Sequence, residues 1–463
     1  MVLKSLSSSF WKISSTVISF VERMYILSVI GKEFVGQIDY LIGFSLIILT
    51  VISFGLFNYM TKEIAIDRDG KGPNYVLTQV FMLQIILFLL SSPFLIWGLT
   101  FYVGLPPVKS LFVLLVVLSY LFSDNVFFYF TSIKEPTKAS FLAFSVYGLR
   151  LFACILFFKI FGPCVESYFI AFFISYLVIA FLYLWGKLER CYPDFSILWQ
   201  AKYFALLSLL QIVYMGLPRI MQKRVSDYVG VAMLTGSMYV LNFINIFSLV
   251  FSLSYSPIFA KLAHEGDCEK MQRHFRRGTR IALLFTIPGI IFTLMNAKNI
   301  IELVSGSGSK EGVQILSWIM IIAFLSPFNS IGRSMLRMSK KEKYLVLNSS
   351  INFVLFISFV YLLGSRYVYG IAMSSFFCEA IYFLILNFEL NYLFALSMVD
   401  FREISFIILI GIFECLMCHF FFRAAGIWLI PLGLFFLAIS SLASLMLSPY
   451  YDYAFLMGGE MED

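Results

Sequence analysis

Long apolar blocks recur along this chain, and they limit the possible folds more than any other feature of the sequence. Many blocks reach the ~18 residues at which a segment becomes a candidate transmembrane helix. Every backbone N–H and C=O in lipid must be paired within the protein, and a helix pairs them within one segment. A transmembrane β-barrel needs alternating segments of about 10 residues, and the sequence has none. We therefore predict an all-α integral membrane protein.

The composition agrees with this interpretation. The 463 residues are 60% hydrophobic and 13% charged, whereas soluble domains carry about 25% charged residues. The net charge of +7 does not indicate nucleic acid as a partner, because the basic residues lie between apolar blocks, where membrane topology explains them. The seven cysteines are scattered and predict no disulfide framework.

We predict about 14 transmembrane helices from block length. The first seven cover residues 6–30, 38–60, 76–103, 109–131, 139–160, 165–186 and 204–226. The second seven cover residues 228–256, 280–303, 313–333, 345–364, 367–389, 403–422 and 425–447. Glu22 and Arg23 interrupt the first apolar run and no cleavage site follows it, so it is predicted to be a span and not a signal peptide.

The spans are predicted to form two pseudo-repeated six-helix bundles, residues 1–200 and 201–395, followed by two extra helices and a short cytoplasmic tail in residues 396–463. The segments Glu33–Gly36 and Asp227–Gly230 have the same acidic, aromatic, Val, Gly order. Internal repeats of this kind are typical of transporters. Most of the 34 lysines and arginines lie on the side of the N-terminus, which predicts that both termini are cytoplasmic.

Several motifs resemble those of Wzx-type O-antigen flippases and related polysaccharide transporters of the MOP exporter superfamily. The similar segments occur in this chain in the same order as in the family: Ile30–Gly36, Phe54–Leu56, Thr61–Ala65, Pro257–Leu262 and Glu265–Asp267. Two departures are present. The family often has arginine where this chain has Lys62, and the dense arginine cluster of lipid II flippases is reduced in the first helix to Arg23, next to Glu22.

The resemblance implies a flippase that moves undecaprenyl-pyrophosphate-linked O-antigen units between leaflets of the bacterial inner membrane by alternating access, for lipopolysaccharide biosynthesis. It implies a lipid-linked oligosaccharide and membrane lipids as partners, together with an O-antigen polymerase and a chain-length regulator. No cofactor, metal or catalytic residue is expected, and coupling to a proton or sodium gradient is an open alternative.

The competing interpretations are a cation-coupled multidrug exporter of the same superfamily and an O-antigen polymerase. The short loops argue against the polymerase.

Charges at membrane depth are costly and usually face a cavity or a partner. The seven residues that we predict to line a substrate cavity are ionisable and lie in or beside apolar blocks: Glu22, Arg23, Asp124, Arg150, Arg219, Lys223 and Arg224. Asp124 and Arg150 are expected to pair between spans 4 and 5. Glu22 and Arg23 point about 100° apart, so one of them is expected to line the cavity while the other pairs.

The seventh span carries the strongest sequence indication of a substrate site. Arg219 and Lys223 share a helix face, and Arg224 lies beside it. Gly216 and Pro218 precede them and predict a kink, because proline removes an intrahelical hydrogen bond. A kinked cationic helix suits a gate for an anion such as pyrophosphate, which arginine binds well. The alternative is that the span ends early and these cations lie at the membrane interface.

A second basic group lies on the predicted cytoplasmic side. Asp267 is a predicted N-cap, and the residues that follow at helical spacing form one basic stripe: Lys270, Arg273, Arg277 and Arg280. We expect an interfacial helix, separate from span 9, that contacts anionic headgroups or a substrate pyrophosphate. Glu379 and Glu414, in spans 12 and 13, are expected to make polar contacts between helices.

Overall fold

The computed structural model describes most of the chain from Val2 to Leu396 and a few residues beyond. The described residues are 2–66, 72–133, 135–210, 216–339, 341–364, 366–396, 405, 407–409 and 411–412. Spans 13 and 14, with Glu414, lie almost wholly outside them. Among the described residues every regular element is helical.

The helices follow the apolar blocks. In the first part of the chain they are α1 (Val2–Ile30), α2 (Lys32–Ser53), α3 (Leu56–Ile66), α4 (Pro73–Phe101), α5 (Pro107–Ser132), α6 (Pro136–Phe161), α7 (Val165–Leu184), α8 (Ser196–Gln200), α9 (Lys202–Leu210) and α10 (Leu217–Val225). The rest are α11 (Tyr228–Ile244), α12 (Ile246–Glu265), α13 (Cys268–Met295), α14 (Ala297–Ser305), α15 (Lys310–Met338), α16 (Glu342–Phe359, then a π turn Val360–Gly364) and α17 (Gly370–Phe394).

Ten helices in the described part of the chain are long and apolar enough to cross a membrane. This confirms the prediction of a multi-pass, all-α membrane protein. The predicted eighth span, residues 228–256, is interrupted at Asn245, between α11 and α12. In the predicted seventh span, residues 204–226, the structure describes α9 and α10, with a turn at Gly216 directly before α10.

The chain divides into two compact units, Leu3–Ala232 and Met233–Asp463, the second of which also includes residues 1–2. In the unit Leu3–Ala232, α5 and α7 pack together, and α2 and α4 pack on α5. The Ser45 hydroxyl of α2 donates to the Val113 carbonyl of α5 at 3.1 Å. A polar contact of this kind compensates for the weak hydrophobic drive between helices in lipid.

The unit Met233–Asp463 is built around α15, which packs against α12, α13 and α17. Small residues allow these helices to approach closely. The Cα of Gly332 in α15 lies where a side chain would press on Leu386 of α17. Close approach at glycine is a common device for packing helices within a membrane.

The second predicted span, residues 38–60, is divided at a tight backbone turn between α2 and α3. Phe54 and Gly55 both have positive φ, of 46° and 68°. A Cβ at Gly55 would collide with the backbone of Phe204 and Ala205 in α9. Only glycine fits there, because the position combines a left-handed conformation with contact between two backbones. This accounts for the Phe54-Gly55 part of the motif.

The predicted separation of the basic segment from span 9 is wrong. Residues Cys268–Met295 form one continuous helix, α13, so the basic stripe is the first part of a membrane-crossing helix. Asp267 caps it as predicted, since its carboxylate accepts the Lys270 N–H at 2.9 Å. This hydrogen bond lowers the pKa of the Asp267 carboxyl. The helix continues without a break because residues 268–277 contain neither glycine nor proline. Met271 and Phe275 are also buried, so this first part of the helix packs against the protein.

Candidate functional site

Helix α10 carries three cations in nine residues. It begins after Gly216, and Pro218 lies in its first turn, where a missing N–H costs nothing. The predicted kink is thus a break at which a new helix starts. Lys223 and Arg224 lie in the last turn, where positive charge is stabilised by the helix dipole.

Helix α10 packs closely on α2, and glycine makes this contact possible. A Cβ at Gly216 would collide with the carbonyl oxygen of Gly43 in α2. A Cβ at Gly43 would lie 3.2 Å from the Cβ of Arg219 and 3.3 Å from the Gly216 carbonyl oxygen. The two backbones therefore touch, and the position of Arg219 is fixed by the crossing of the helices.

The three cations have no acidic partner among the residues that the structure describes. Arg219 and Lys223 are half-buried, whereas Arg224 is exposed. The Nε of Arg219 is buried and has no hydrogen-bond acceptor among the described residues. The Nζ of Lys223 lies over the Tyr228 ring, 4.2 Å from its centroid. A buried cation without a carboxylate is costly, so this cluster is available to an anion from outside the protein.

Glu22 and Arg150 form a buried ion pair between α1 and α6. The Nε of Arg150 donates to Oε1 of Glu22 at 2.6 Å, and its Nη2 donates to Oε2. The guanidinium also lies over the rings of Tyr147 and Phe172, at 4.8 and 4.9 Å. The predicted pairing of Arg150 with Asp124 is therefore wrong. Glu22 offers Arg150 a bidentate partner in the same buried layer, and such geometry is strongly favoured.

Arg23 is also paired. Its two terminal nitrogens donate to the Asp39 carboxylate of α2 at 3.1 and 3.0 Å, and Nη2 donates to the Ala232 carbonyl of α11 at 3.0 Å. The adjacent residues Glu22 and Arg23 thus each form an ion pair within the protein, although only one of them was expected to pair. Asp39 was missed by the sequence analysis, although it is a carboxylate within an apolar block.

Asp124 in α5 interacts with Lys12 of α1. The Nζ of Lys12 also lies 5.6 Å from the ring centroid of Phe127, one turn from Asp124. Lys12 is the second residue that the sequence analysis missed, and the signal was the same, a charge inside a predicted span. The intramembrane charges of α1, α2, α5 and α6 therefore occur as matched opposite pairs.

The seven predicted cavity residues thus fall into two groups. Four of them, Glu22, Arg23, Asp124 and Arg150, interact with charges inside the unit Leu3–Ala232. The other three, on α10, form no ion pair with a described carboxylate. The assignment of all seven to a substrate cavity stays a prediction, and the charge balance favours α10 as the part that meets an anion.

The basic stripe of α13 is partly neutralised by its own helix. Lys270 pairs with Asp267 at 3.4 Å, and Arg273 pairs with Glu269 at 2.9 Å. Both pairs are largely exposed, and such pairs contribute little stability. The stripe is a weaker candidate for substrate binding than α10, because it already carries counter-charges.

The unit Met233–Asp463 contains the interhelical contact expected of Glu379. The Glu379 carboxylate accepts the Asn329 amide at 2.6 Å and the Arg333 guanidinium at 3.2 Å. The Arg333 guanidinium also lies 4.3 Å from the Tyr382 ring centroid. Within the described residues, no group of three or more His, Cys, Asp and Glu is arranged to hold a metal ion.

Comparison with known proteins gives the fold an independent reference. The chain is similar to "Lipid II flippase MurJ, inward closed conformation", with a TM-score of 0.68 and 13% identity over 96% of this chain and 98% of that chain. It is also similar to a MATE structure titled as a complex with MaL6, with a TM-score of 0.65 and 13% identity over 87% and 96% of the two chains. The chain has the MATE and MurJ fold.

Other members of this fold are also similar. A MOP superfamily transporter from Pyrococcus furiosus, whose title reports a binding pocket of reversed polarity, matches with a TM-score of 0.64 and 14% identity over 84% and 95% of the two chains. The MatE family model matches residues 204–362, about a third of the chain, and this segment includes α10. No curated protein sequence matches. The MatE model thus matches part of the chain, and the solved structures share its fold.

Proposed function

We propose that this protein is an exporter of the MOP type that moves a lipid-linked oligosaccharide across the membrane. The proposed substrate is an O-antigen unit carried on undecaprenyl pyrophosphate, transported from the cytoplasmic to the periplasmic leaflet of a bacterial inner membrane. The headgroup would meet Arg219, Lys223 and Arg224 while the polyprenyl tail stays in the bilayer. Alternating access between the helical bundles would move it.

One observation carries this proposal: α10 holds three cations without a described acidic partner, while the other intramembrane charges of the same unit have opposite charges to meet. A purely structural role would not favour these cations, because a half-buried charge such as that of Arg219 is costly to keep without a counter-charge. A pyrophosphate offers several anionic oxygens, which two arginines and a lysine can bind through charge-assisted hydrogen bonds.

The test is transport of a polyprenyl-pyrophosphate oligosaccharide by the full chain in proteoliposomes. Arg219→Ala and Lys223→Ala are expected to lower the initial rate by about 10-fold or more, since a charge-assisted hydrogen bond contributes about 1.5–3 kcal/mol. Arg366→Ala is the matched control, because Arg366 is an exposed arginine in a loop on the same predicted side of the membrane. Its rate should equal that of the unmodified protein.

The site assignment fails if both α10 variants transport at the full rate while present at normal levels in the membrane. Equal loss in Arg366→Ala would point to a general effect of surface charge. Deletion of the gene in its host tests the substrate separately. We expect loss of surface polysaccharide and accumulation of lipid-linked units inside the cell, whereas short unpolymerised units at the surface would indicate a polymerase.

A cation-coupled multidrug exporter is the second candidate, favoured by the MatE family match over residues 204–362. The two candidates differ in the charge of their cargo. A site with three cations that form no ion pair among the described residues repels cationic drugs by Coulomb interaction, so deletion should leave sensitivity to cationic drugs unchanged. Increased sensitivity with intact surface polysaccharide would favour the multidrug exporter.

A further inference from the structure

One buried carboxylate in the unit Met233–Asp463 differs from the others in its hydrogen-bond partner. The part of the chain that the structure describes contains four buried carboxylates: Glu22, Asp39, Glu379 and Glu389. Each of the first three accepts hydrogen bonds from an arginine. Glu389, in α17, instead accepts the neutral side-chain amide of Asn348 in α16, with 2.6 Å between Nδ2 and Oε2. It is only 7% exposed, and it forms no ion pair with a described lysine, arginine or histidine.

The same face of α16 carries a second buried asparagine whose polar atoms are unpaired. Asn352 lies one helical turn after Asn348, and the two residues are 2% and 0% exposed. Neither the amide oxygen nor the amide nitrogen of Asn352 has a hydrogen-bond partner among the described residues, and the same holds for the amide oxygen of Asn348. Because an unpaired buried polar atom is costly, we expect these groups to meet a ligand.

Charge and ligand chemistry together narrow the choice of that ligand. A buried water could hydrogen-bond to the amides, but it would leave the Glu389 charge uncompensated. A proton would neutralise Glu389, but the one O–H group that it creates can serve only one of the two amide oxygens. A hard metal cation takes several oxygen ligands at once, including carboxylate and asparagine oxygens. A single carboxylate balances one positive charge, so the ion that fits is monovalent.

We propose that Glu389, Asn348 and Asn352 form a binding site for one monovalent metal cation, such as Na⁺, between α16 and α17. The Glu389 carboxylate supplies the negative charge, and the two amide oxygens are further ligands. The Asn348 amide turns over when the ion binds, so that its oxygen and not its nitrogen faces the carboxylate. The hydrogen bond that is lost is replaced by contacts of the ion with both side chains. The cation thereby links α16 to α17, which pack against each other.

This cation site shares no residue with the proposed anion site on α10. Its three residues belong to the unit Met233–Asp463, whereas α10 belongs to the unit Leu3–Ala232. The other buried carboxylate of α17, that of Glu379, is already occupied by Asn329 and Arg333, so it does not compete for the ion. The inference therefore stands whether or not the protein transports a polyprenyl pyrophosphate.

Binding of sodium to the purified full chain in detergent tests the proposal. The protein is prepared in choline chloride, and radioactive sodium is titrated at constant ionic strength and detected by scintillation proximity. Thermal unfolding, followed by tryptophan fluorescence, is recorded in choline chloride and in sodium chloride. The variants are Glu389→Gln and Asn352→Leu. The matched control is Glu311→Gln, which removes an exposed carboxylate of the same unit.

We expect the unmodified chain to bind one sodium ion and its melting temperature to rise with sodium, because a ligand of the native state stabilises that state. Glu389→Gln should abolish binding. It should also melt no lower than the unmodified chain in choline chloride, because it removes an uncompensated buried charge. Asn352→Leu should weaken sodium binding at least about 10-fold, a loss that follows even from removing an outer partner of a metal ligand. Glu311→Gln should bind sodium as the unmodified chain does.

Four results would overturn the site. Sodium binding of equal affinity in Glu389→Gln would place the ion elsewhere, and unchanged affinity in Asn352→Leu would remove that amide from the ligands. Absence of sodium binding by the unmodified chain would mean that a proton or water meets these groups. A strong loss of stability of Glu389→Gln in choline chloride would show that the carboxylate charge is already compensated without the ion. None of these measurements involves transport, so they leave the proposed function untouched.

Discussion

At the scale of single residues, the pair between Glu22 and Arg150 should be the most sensitive to mutation. Both side chains are buried, at 1% and 4% exposure. Glu22→Gln leaves the Arg150 charge without its counter-ion, and breaking a buried pair costs about 3–5 kcal/mol. We expect a strongly lowered melting temperature in detergent, measured by tryptophan fluorescence, and reduced amounts of protein in the membrane.

Two comparisons check that the loss comes from the unpaired charge. Glu22→Leu combined with Arg150→Met removes both charges and should recover much of the stability, because an apolar pair replaces a buried ion pair at little cost. Glu269→Gln breaks the exposed pair with Arg273 and should change stability by about 1 kcal/mol at most. Equal destabilisation by Glu22→Gln and Glu269→Gln would contradict the argument.

The sequence was enough to predict which charged residues are buried, but not which residues they pair with. Glu22, Arg23 and Arg150 stand out as charges inside apolar blocks, and all three are buried. Their partners depend on how each helix is rotated in the bundle, and the partner of Arg150 lies 128 residues away. Asp124 seemed the natural partner because its helix is next in the chain. Single-sequence periodicity gives the face of a helix, but it does not give the residue opposite that face.

At the scale of helices, the crossing of α2 and α10 should depend on the small size of Gly43. In Gly43→Val the new side chain meets the Cβ of Arg219 and the Gly216 carbonyl. The helices must separate, and overpacking of this kind costs about 1–3 kcal/mol. Since Arg219 is placed by this crossing, transport should fall together with thermal stability.

Gly148→Val in α6 is the matched control for this crossing. It makes the same change within a long helix, but no atom of another part of the protein lies within 4 Å of the new Cβ. Transport and melting temperature should therefore stay close to those of the unmodified protein. If Gly148→Val is as harmful as Gly43→Val, helix propensity and not the crossing explains the loss.

Helix boundaries were predictable to different degrees for physical reasons. The blocks at residues 109–131 and 165–186 became α5 and α7 almost as predicted, because proline or a loop bounds each of them. The divisions at Phe54 and Asn245 were not visible, since apolar residues continue on both sides. The junction at Asp267 was predicted as a cap and is one, but the helix that it begins runs on to Met295.

At the scale of the whole molecule, the all-α, multi-pass architecture was predictable from block length, because lipid admits few architectures. The cargo was not predictable to the same degree. The proposed anionic cargo is supported by α10, where Arg219, Lys223 and Arg224 stand out by their charge and not by their place in helix packing. A fold shared by a lipid II flippase and multidrug transporters does not specify cargo, and the cationic site must carry that argument.

The orientation of the molecule gives the last prediction. Cys268 is exposed at the start of α13, on the side where basic residues concentrate, so the positive-inside rule places it in the cytoplasm. In a chain carrying Cys164→Ser, Cys191→Ser, Cys415→Ser and Cys418→Ser, a membrane-impermeant maleimide should label inside-out vesicles and not intact spheroplasts. Adding Cys268→Ser should abolish the signal. Phe34→Cys in that last background should show the opposite pattern, because α2 begins on the other predicted side. Labelling of Cys268 in spheroplasts would reverse the topology, and with it the direction of export proposed for α10.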